Sequence, residues 1–159
     1  MRRVRAIPLL LLVLCALPRT ARPAELAVFV SGAHEGTDWG GGVGGSFTFV
    51  LLNLVGLEVE GARQAGDIPD SSMVSVSGRA FLGPSIGRFV LYGGLSVGVY
   101  RQTLGPLDDW GTASGAFLGL KLKLPLGVVV KTEYQRVSLP DAALIPMKAR
   151  YSLGAGISF

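Results

Sequence analysis

The chain has 159 residues, enough for one domain, with 23 glycines and only 16% Asp, Glu, Lys and Arg. Five of its 15 basic residues lie in the first 24 positions, so the remainder carries ten basic and 11 acidic residues. The net charge of +4 therefore comes from the N-terminus. Because the rest of the chain has no basic excess, we expect no nucleic-acid partner. No apolar run after residue 25 is long enough for a membrane-spanning helix.

The N-terminus has the features of a secretory signal peptide. Arg2, Arg3 and Arg5 precede the apolar run 7–17, and small alanines follow it up to Ala24. We predict a signal peptide at residues 1–24 and one mature domain at residues 25–159. The only cysteine lies in this leader, so we expect no disulfide in the mature protein. Acylation of that cysteine, Cys15, is an alternative, although Leu14 stands where such a signal needs a small residue.

Beyond the leader, apolar and polar residues alternate with the period of two that is typical of β-strands. The pattern predicts eight strands, each of nine to 14 residues, which is enough to cross a bilayer when tilted. The predicted strands are 25–33, 40–51, 54–65, 73–83, 88–101, 111–124, 127–138 and 147–159.

The connections between these strands alternate in character. Those around residues 34–39, 66–72, 102–110 and 139–146 are longer and acidic, whereas the other three are short and contain no acid. Such a pattern predicts an all-β fold, an eight-stranded antiparallel up-and-down transmembrane β-barrel with both termini on one side. A soluble barrel that encloses a ligand is the alternative, but the face opposite the apolar one offers too little charge for a water-exposed surface.

Aromatic residues stand near the ends of several predicted strands. Trp39 and Trp110 lie next to longer connections, and Phe49 and Phe89 lie next to short ones. We expect these four side chains to form two interfacial girdles. A barrel in lipid must also close, because an unpaired backbone group in hydrocarbon costs several kcal/mol.

The last strand carries the most specific pattern. One face is wholly apolar and ends on the C-terminal aromatic residue. With the glycine-rich run 92–100, this strand resembles the small outer-membrane β-barrel family, the OmpA- and OmpX-like class, over the whole predicted mature region. The resemblance implies an integral outer-membrane protein and a C-terminal signal for the barrel assembly machinery, but it carries over no catalytic residue. The signal residues are Tyr151, Leu153, Ala155, Ile157 and Phe159.

Charged residues on the opposite face of the strands are expected to line the barrel interior. Hairpin geometry predicts that Glu60 lies opposite Arg79 and that Glu133 lies close to Arg150. We interpret the set as an ion-pair network that fixes register; a narrow pore that favours anions is the alternative, because basic residues outnumber acidic ones six to three. The expected interior charges are Glu58, Glu60, Arg79, Lys121, Lys123, Lys131, Glu133, Lys148 and Arg150.

A catalytic site is not expected. His34 at one loop and Asp70 with Ser71 at the next loosely resemble the rim residues of lipid A acyltransferases, in which an imidazole activates a hydroxyl. The Asp-Ser pair is also ordinary turn chemistry. With one histidine and no mature cysteine, no metal site or cofactor is predicted.

The sequence thus predicts a non-enzymatic, monomeric outer-membrane barrel with a structural or surface-interaction role. Its expected partners are outer-membrane lipid, lipopolysaccharide and the barrel assembly machinery.

Overall fold

The computed structural model describes residues 22–34, 39–51, 54–140, 143–144 and 146–159. The predicted signal peptide lies outside these ranges except for its last three residues, which begin the first strand, and Cys15 lies outside them as well. Within the described residues, eight long strands follow one another. They are β1 Arg22–His34, β2 Trp39–Leu51, β3 Val55–Gly66, β4 Ser71–Leu82, β5 Phe89–Leu104, β6 Leu107–Lys123, β7 Val128–Ser138 and β8 Ala149–Ser158.

The eight strands form one closed antiparallel sheet. Each strand pairs with the next along the chain, and β1 pairs with β8, from Glu25 opposite Ser158 to His34 opposite Ala149. Two short elements lie in connections: a two-residue strand at Ser85–Ile86 and a 3-10 turn at Pro125–Gly127. Closure leaves no long sheet edge, and it confirms the predicted eight-stranded up-and-down barrel.

The two ends of the barrel differ. The loop end holds the connections β1–β2, β3–β4, β5–β6 and β7–β8, and the turn end holds the other three together with the start of β1 and the end of β8. Each predicted strand has an observed counterpart. The clearest difference is at residues 102–110, where the sequence predicts a loop.

The structure instead continues both strands of that hairpin to a two-residue turn. Leu104 pairs with Leu107, and Gly105 adopts a left-handed φ of 57° that a residue with a side chain rarely takes. Asp108 and Asp109 made the segment look like a polar loop, but they sit within β6, where they hydrogen-bond residues of β5. Local pairing in the hairpin has overridden the low strand propensity of aspartate.

The strands place apolar side chains outside and polar side chains inside. On the described surface 30 large apolar side chains are exposed, among them Val28 at 68% and Leu95 at 69%. The residues that alternate with them point into the barrel, where Glu58, Arg79 and Lys131 are each less than 5% exposed. The arrangement is the reverse of a water-soluble protein, in which charges are almost never fully buried.

Candidate functional site

The polar interior of the barrel is the candidate functional site. Among the described residues, it buries equal numbers of acidic and basic side chains, four of each. They are Glu25, Glu58, Glu60 and Glu133 with Arg79, Lys121, Lys131 and Arg150.

Arg79 on β4 is the centre of this network. Its Nη1 lies 2.5 Å from Glu58 Oε1 and 2.6 Å from Glu60 Oε2, and its Nη2 lies 2.5 Å from Glu133 Oε1. The guanidinium also stacks on Phe117, with Cζ 3.8 Å from the ring centroid. One arginine thereby joins β3, β4 and β7 across the interior. A planar guanidinium with five donors suits this task better than the single ammonium of lysine.

The other three cations each hold a carboxylate. Lys131 lies 3.3 Å from Glu58, Lys121 lies 2.5 Å from Glu25, and Arg150 pairs with Glu60. Glu58 and Glu60 thus each pair with a second cation besides Arg79, whereas Glu133 pairs with Arg79 alone among the described residues. Its second oxygen accepts a hydrogen bond from the Tyr92 hydroxyl at 3.1 Å.

Neutral polar side chains satisfy much of the remaining hydrogen-bonding capacity. Thr48 donates to Glu58 at 2.6 Å, and Lys131 donates to Ser46 at 2.8 Å. Gln135 accepts from Arg150 at 2.6 Å and donates to Ser96 at 3.0 Å. Buried charges are tolerated only when they are paired and hydrogen-bonded in this way.

Apolar side chains pack above and below the charges. Phe81, Val90, Tyr92 and Phe117 form a cluster near the turn end, with the Phe81 and Tyr92 ring centroids 5.4 Å apart. Tyr92 reaches across to Gly119, where any Cβ would lie 2.4 Å from its ring, so the neighbouring wall must be glycine there.

Met73, Tyr100 and Met147 form a second cluster at the loop end. Two cavities border the charges, of about 40 Å³ beneath this cluster and about 20 Å³ beside Glu25 and Lys121. Spaces of this size hold a water molecule or two rather than a continuous water column.

The structure corrects the predicted hairpin register. Glu58 lies directly opposite Arg79, and Glu60 lies opposite Ser77. The prediction misplaced the centre of the β3–β4 turn by one residue. Because that error moves each partner by two positions, the interior face is unchanged, and Glu60 still reaches Arg79 diagonally.

Two other expectations about interior charges are also corrected. Gln135, and not Glu133, lies opposite Arg150. Lys148 precedes β8 and is exposed. Lys123 at the end of β6 is half-buried and, as expected of an interior charge, lines the space beside Glu25 and Lys121. Glu25 was missed because it stands next to the predicted leader, yet it alternates with the exposed Leu26 and so faces inward.

The predicted aromatic positions lie on the exterior where their side chains are described. Trp110 near the loop end is 68% exposed, Phe89 at the turn end is 51% exposed, and Phe49 is half-buried against Phe47. Trp39 is the first residue of β2, at the loop end. The role of Trp39, Phe49 and Phe89 in girdles remains a prediction, whereas Trp110 lies on the part of the β5–β6 hairpin that extends beyond β7.

The residues predicted as an assembly signal lie along β8. Tyr151, Leu153 and Ile157 are exposed on its exterior face, and Ala155 belongs to the same exposed row. Phe159 follows the strand, is 69% exposed, and donates its backbone N–H to the Ala24 carbonyl at 2.9 Å. The terminal residue is therefore tied to the closing seam between β1 and β8.

The residues of the acyl-transfer alternative lie on separate strands. His34 ends β1, whereas Ser71 begins β4, and two strands lie between them. The Ser71 hydroxyl donates to the Ile68 carbonyl at 2.5 Å, and Asp70 occupies the turn with a φ of 58°. This is the local turn chemistry that Asp-Ser pairs commonly provide.

Among the described residues, no group of three or more His, Cys, Asp or Glu side chains could hold a metal ion. No helix in this part of the chain is long and apolar enough to cross a membrane.

At the loop end, the β5–β6 hairpin carries an exposed ion pair. Arg101 Nη2 lies 2.6 Å from Asp108 Oδ2, and the Thr103 hydroxyl donates to the same carboxylate at 2.8 Å. The hydrogen bond from Arg101, and then that from Thr103, hold the pKa of the Asp108 carboxyl below its usual value. The hairpin tip therefore remains charged at neutral pH.

Comparison with known proteins supports the fold. Neither a protein-family model nor a curated protein matches the chain. Neisserial surface protein A matches with a TM-score of 0.67 and 16% identity, over 86% of this chain and 95% of that one. The N-terminal β-barrel domain of OprF from Pseudomonas aeruginosa matches with a TM-score of 0.59 and 14% identity, over 87% and 98%.

The outer membrane protein Ail of Yersinia pestis, determined in a phospholipid bilayer nanodisc, matches with a TM-score of 0.59 and 17% identity. That match covers 87% of this chain and 99% of the Ail chain. The chain therefore has the fold of the small outer-membrane β-barrels, as its sequence resemblance implies.

The Arg79 network generates a prediction about stability. Replacing Arg79 by Gln leaves Glu133 buried without a cation, whereas Glu58 keeps Lys131 and Glu60 keeps Arg150. We expect Arg79→Gln to lower the free energy of unfolding by about 3–5 kcal/mol. Adding Glu133→Gln to this variant should restore most of the loss. Urea titration of the barrel refolded into lipid vesicles measures both effects.

The matched control is Arg101→Gln, which breaks an arginine–carboxylate pair of similar length in water and should leave the unfolding midpoint near that of the wild type. Greater recovery with Glu60→Gln than with Glu133→Gln would contradict the assignment of partners.

Proposed function

We propose that the protein is an integral outer-membrane barrel with a structural or surface-interaction role and no enzymatic activity. The observation that carries this proposal is the apolar exterior around a charged interior. In water, so large an apolar surface would drive aggregation, whereas in a bilayer it contacts the apolar acyl chains of the lipids. The fold shared with outer-membrane proteins, and the predicted signal peptide for export to the periplasm, support the same location.

The height of the apolar exterior fits an outer membrane. Tyr151 on β8 and Phe159, which directly follows β8, are both exposed and stand eight residues apart, about 26 Å along an extended chain. A tilt of about 40° reduces this to roughly 20 Å, close to the ~25 Å apolar band of such barrels.

The interior argues against the pore alternative. An anion-favouring pore requires an excess of basic groups around a water-filled path. In the part of the chain that the structure describes, the buried acidic and basic side chains are instead equal in number and paired, and apolar clusters pack on both sides of them. We therefore assign the interior charges to holding the eight strands in register.

We assign the proposed surface-interaction role to the loop end of the barrel. The β5–β6 hairpin extends past its neighbour, because β6 begins at Leu107 whereas its pairing with β7 begins at Ser114. The projecting part carries Trp110 stacked with Arg101, at 5.4 Å, and the Asp108 ion pair. Exposed aromatic and arginine side chains are those that most often anchor protein interfaces.

Expression in a Gram-negative host tests the location and the closed interior together. We expect the protein in the outer-membrane fraction, with different gel mobility in detergent before and after boiling, because a closed barrel resists unfolding until heated. In planar bilayers the purified protein should give no steady conductance. Recovery in the soluble fraction with one mobility would overturn the membrane proposal, and steady anion-selective conductance that falls when Lys121 and Lys131 are replaced would support the pore.

A second experiment concerns the proposed assembly signal. Deleting Phe159 should strongly reduce the outer-membrane yield in cells and leave refolding in detergent or lipid near normal. One interfacial ring contributes only about 1.5–3 kcal/mol to the finished fold, whereas recognition of the strand end acts on every chain before insertion. Phe89→Ala, which removes an exposed ring at the same end of the barrel, is the control. Equal yields for the wild type and the deletion would exclude the signal.

A further inference from the structure

A groove opens on the exterior of the barrel near the loop end, between the last residues of β7 and the segment that leads into β8. It is open on one side and has a volume of about 590 Å³, within the ~300–1,000 Å³ of small-ligand sites. Its lining includes Tyr134, Arg136, Ser138, Pro140, Pro146 and Lys148.

Two cations stand in this groove. Arg136 is exposed, and its position on β7 lies opposite Ala149, next to the exposed Lys148. The two chain segments are tied there by the Val137 N–H, which donates to the Lys148 carbonyl at 2.8 Å. Neither cation forms an ion pair with a described residue. The groove therefore offers two positive charges to an external anion.

The position of the groove relative to the apolar exterior restricts what that anion is. Tyr134 and Tyr151 form a ring pair on the exterior, with centroids 4.9 Å apart, and tyrosine typically marks the boundary between hydrocarbon and headgroups. Arg136 lies two residues beyond Tyr134 toward the loop end, about 5 Å farther along the tilted strand. The cations therefore lie at headgroup level, directly above the apolar band.

We infer that this groove binds a phosphate-bearing sugar headgroup of the outer-leaflet glycolipid, the lipid A part of lipopolysaccharide. Its charge is complementary to phosphate, and arginine and lysine are the side chains that bind phosphate most often. The groove is wider than a lone phosphate needs, and the Ser138 hydroxyl and the Tyr134 phenol can hydrogen-bond to sugar hydroxyls. The acyl chains then lie against the exposed Leu153 and Ile157 of β8.

This inference rests on the proposed outer-membrane location and gives the expected lipopolysaccharide partner a binding site with named residues. The test uses the purified full barrel in detergent micelles, and heat-dependent gel mobility first establishes that each variant is folded. Binding of lipid A with its phosphates, of dephosphorylated lipid A and of phosphatidylglycerol is then measured by native mass spectrometry.

We expect phosphorylated lipid A to bind about tenfold more tightly than the dephosphorylated form, as one lost charge-assisted contact would produce. The double variant Arg136→Gln with Lys148→Gln should abolish this preference. Arg88→Gln removes an exposed charge at the turn end and should retain the preference.

Equal binding of the two lipid A forms by a folded wild-type barrel would overturn the inference and leave the proposed location intact. Binding of phosphatidylglycerol as tight as that of lipid A, with the same dependence on Arg136 and Lys148, would show a general anionic-lipid site and overturn the glycolipid assignment. Recovery of the chain in the soluble fraction, with the same gel mobility before and after heating, would instead contradict the proposed function itself.

Discussion

The structure depends on the pairing of Arg79 with three carboxylates in a space that water hardly enters. A charge moved into such a space costs several kcal/mol unless partners surround it, and removing one partner exposes that cost. Arg79 joins β4 to Glu58 and Glu60 on β3 and to Glu133 on β7. A slip in register between these strands would separate the charges, so the network selects one closure of the barrel among the several that backbone pairing allows.

Glycine and aromatic residues make room for this network. Phe29 lies beside Gly44 and Gly154, where a Cβ would come within 3 Å of its side chain, and its ring lies 5.5 Å from both the Lys131 ammonium and the Arg150 guanidinium. The rings thus cover the cations and fill the space that glycine leaves on the neighbouring strands. The high glycine content is a consequence of fitting large rings and long charged side chains inside eight strands.

The barrel architecture was predictable because it depends on the alternation of apolar and polar residues along each strand, and a single sequence shows this alternation. Every strand was located, since an exposed row of apolar residues gives the same signal whether or not its partners are known. The ion pairs were less predictable, because Arg79 pairs with Glu133, 54 positions away, across the interior and not along a hairpin. Glu25 was not predicted as an interior charge because it directly follows the predicted leader. Lys148 was assigned to the interior because the alternation of β8 was extended to a residue that precedes the strand.

The central claim is that the apolar face of the strands meets lipid, and the fluorescence of tryptophan placed on β5 tests it directly. Leu95→Trp or Val97→Trp, in a chain whose Trp39 and Trp110 are replaced by Phe, puts one indole on the exposed face. Brominated lipid acyl chains should quench its emission strongly and aqueous iodide weakly. Strong quenching by iodide, with none by brominated lipid, would contradict the account, because the apolar face would then lie away from the bilayer.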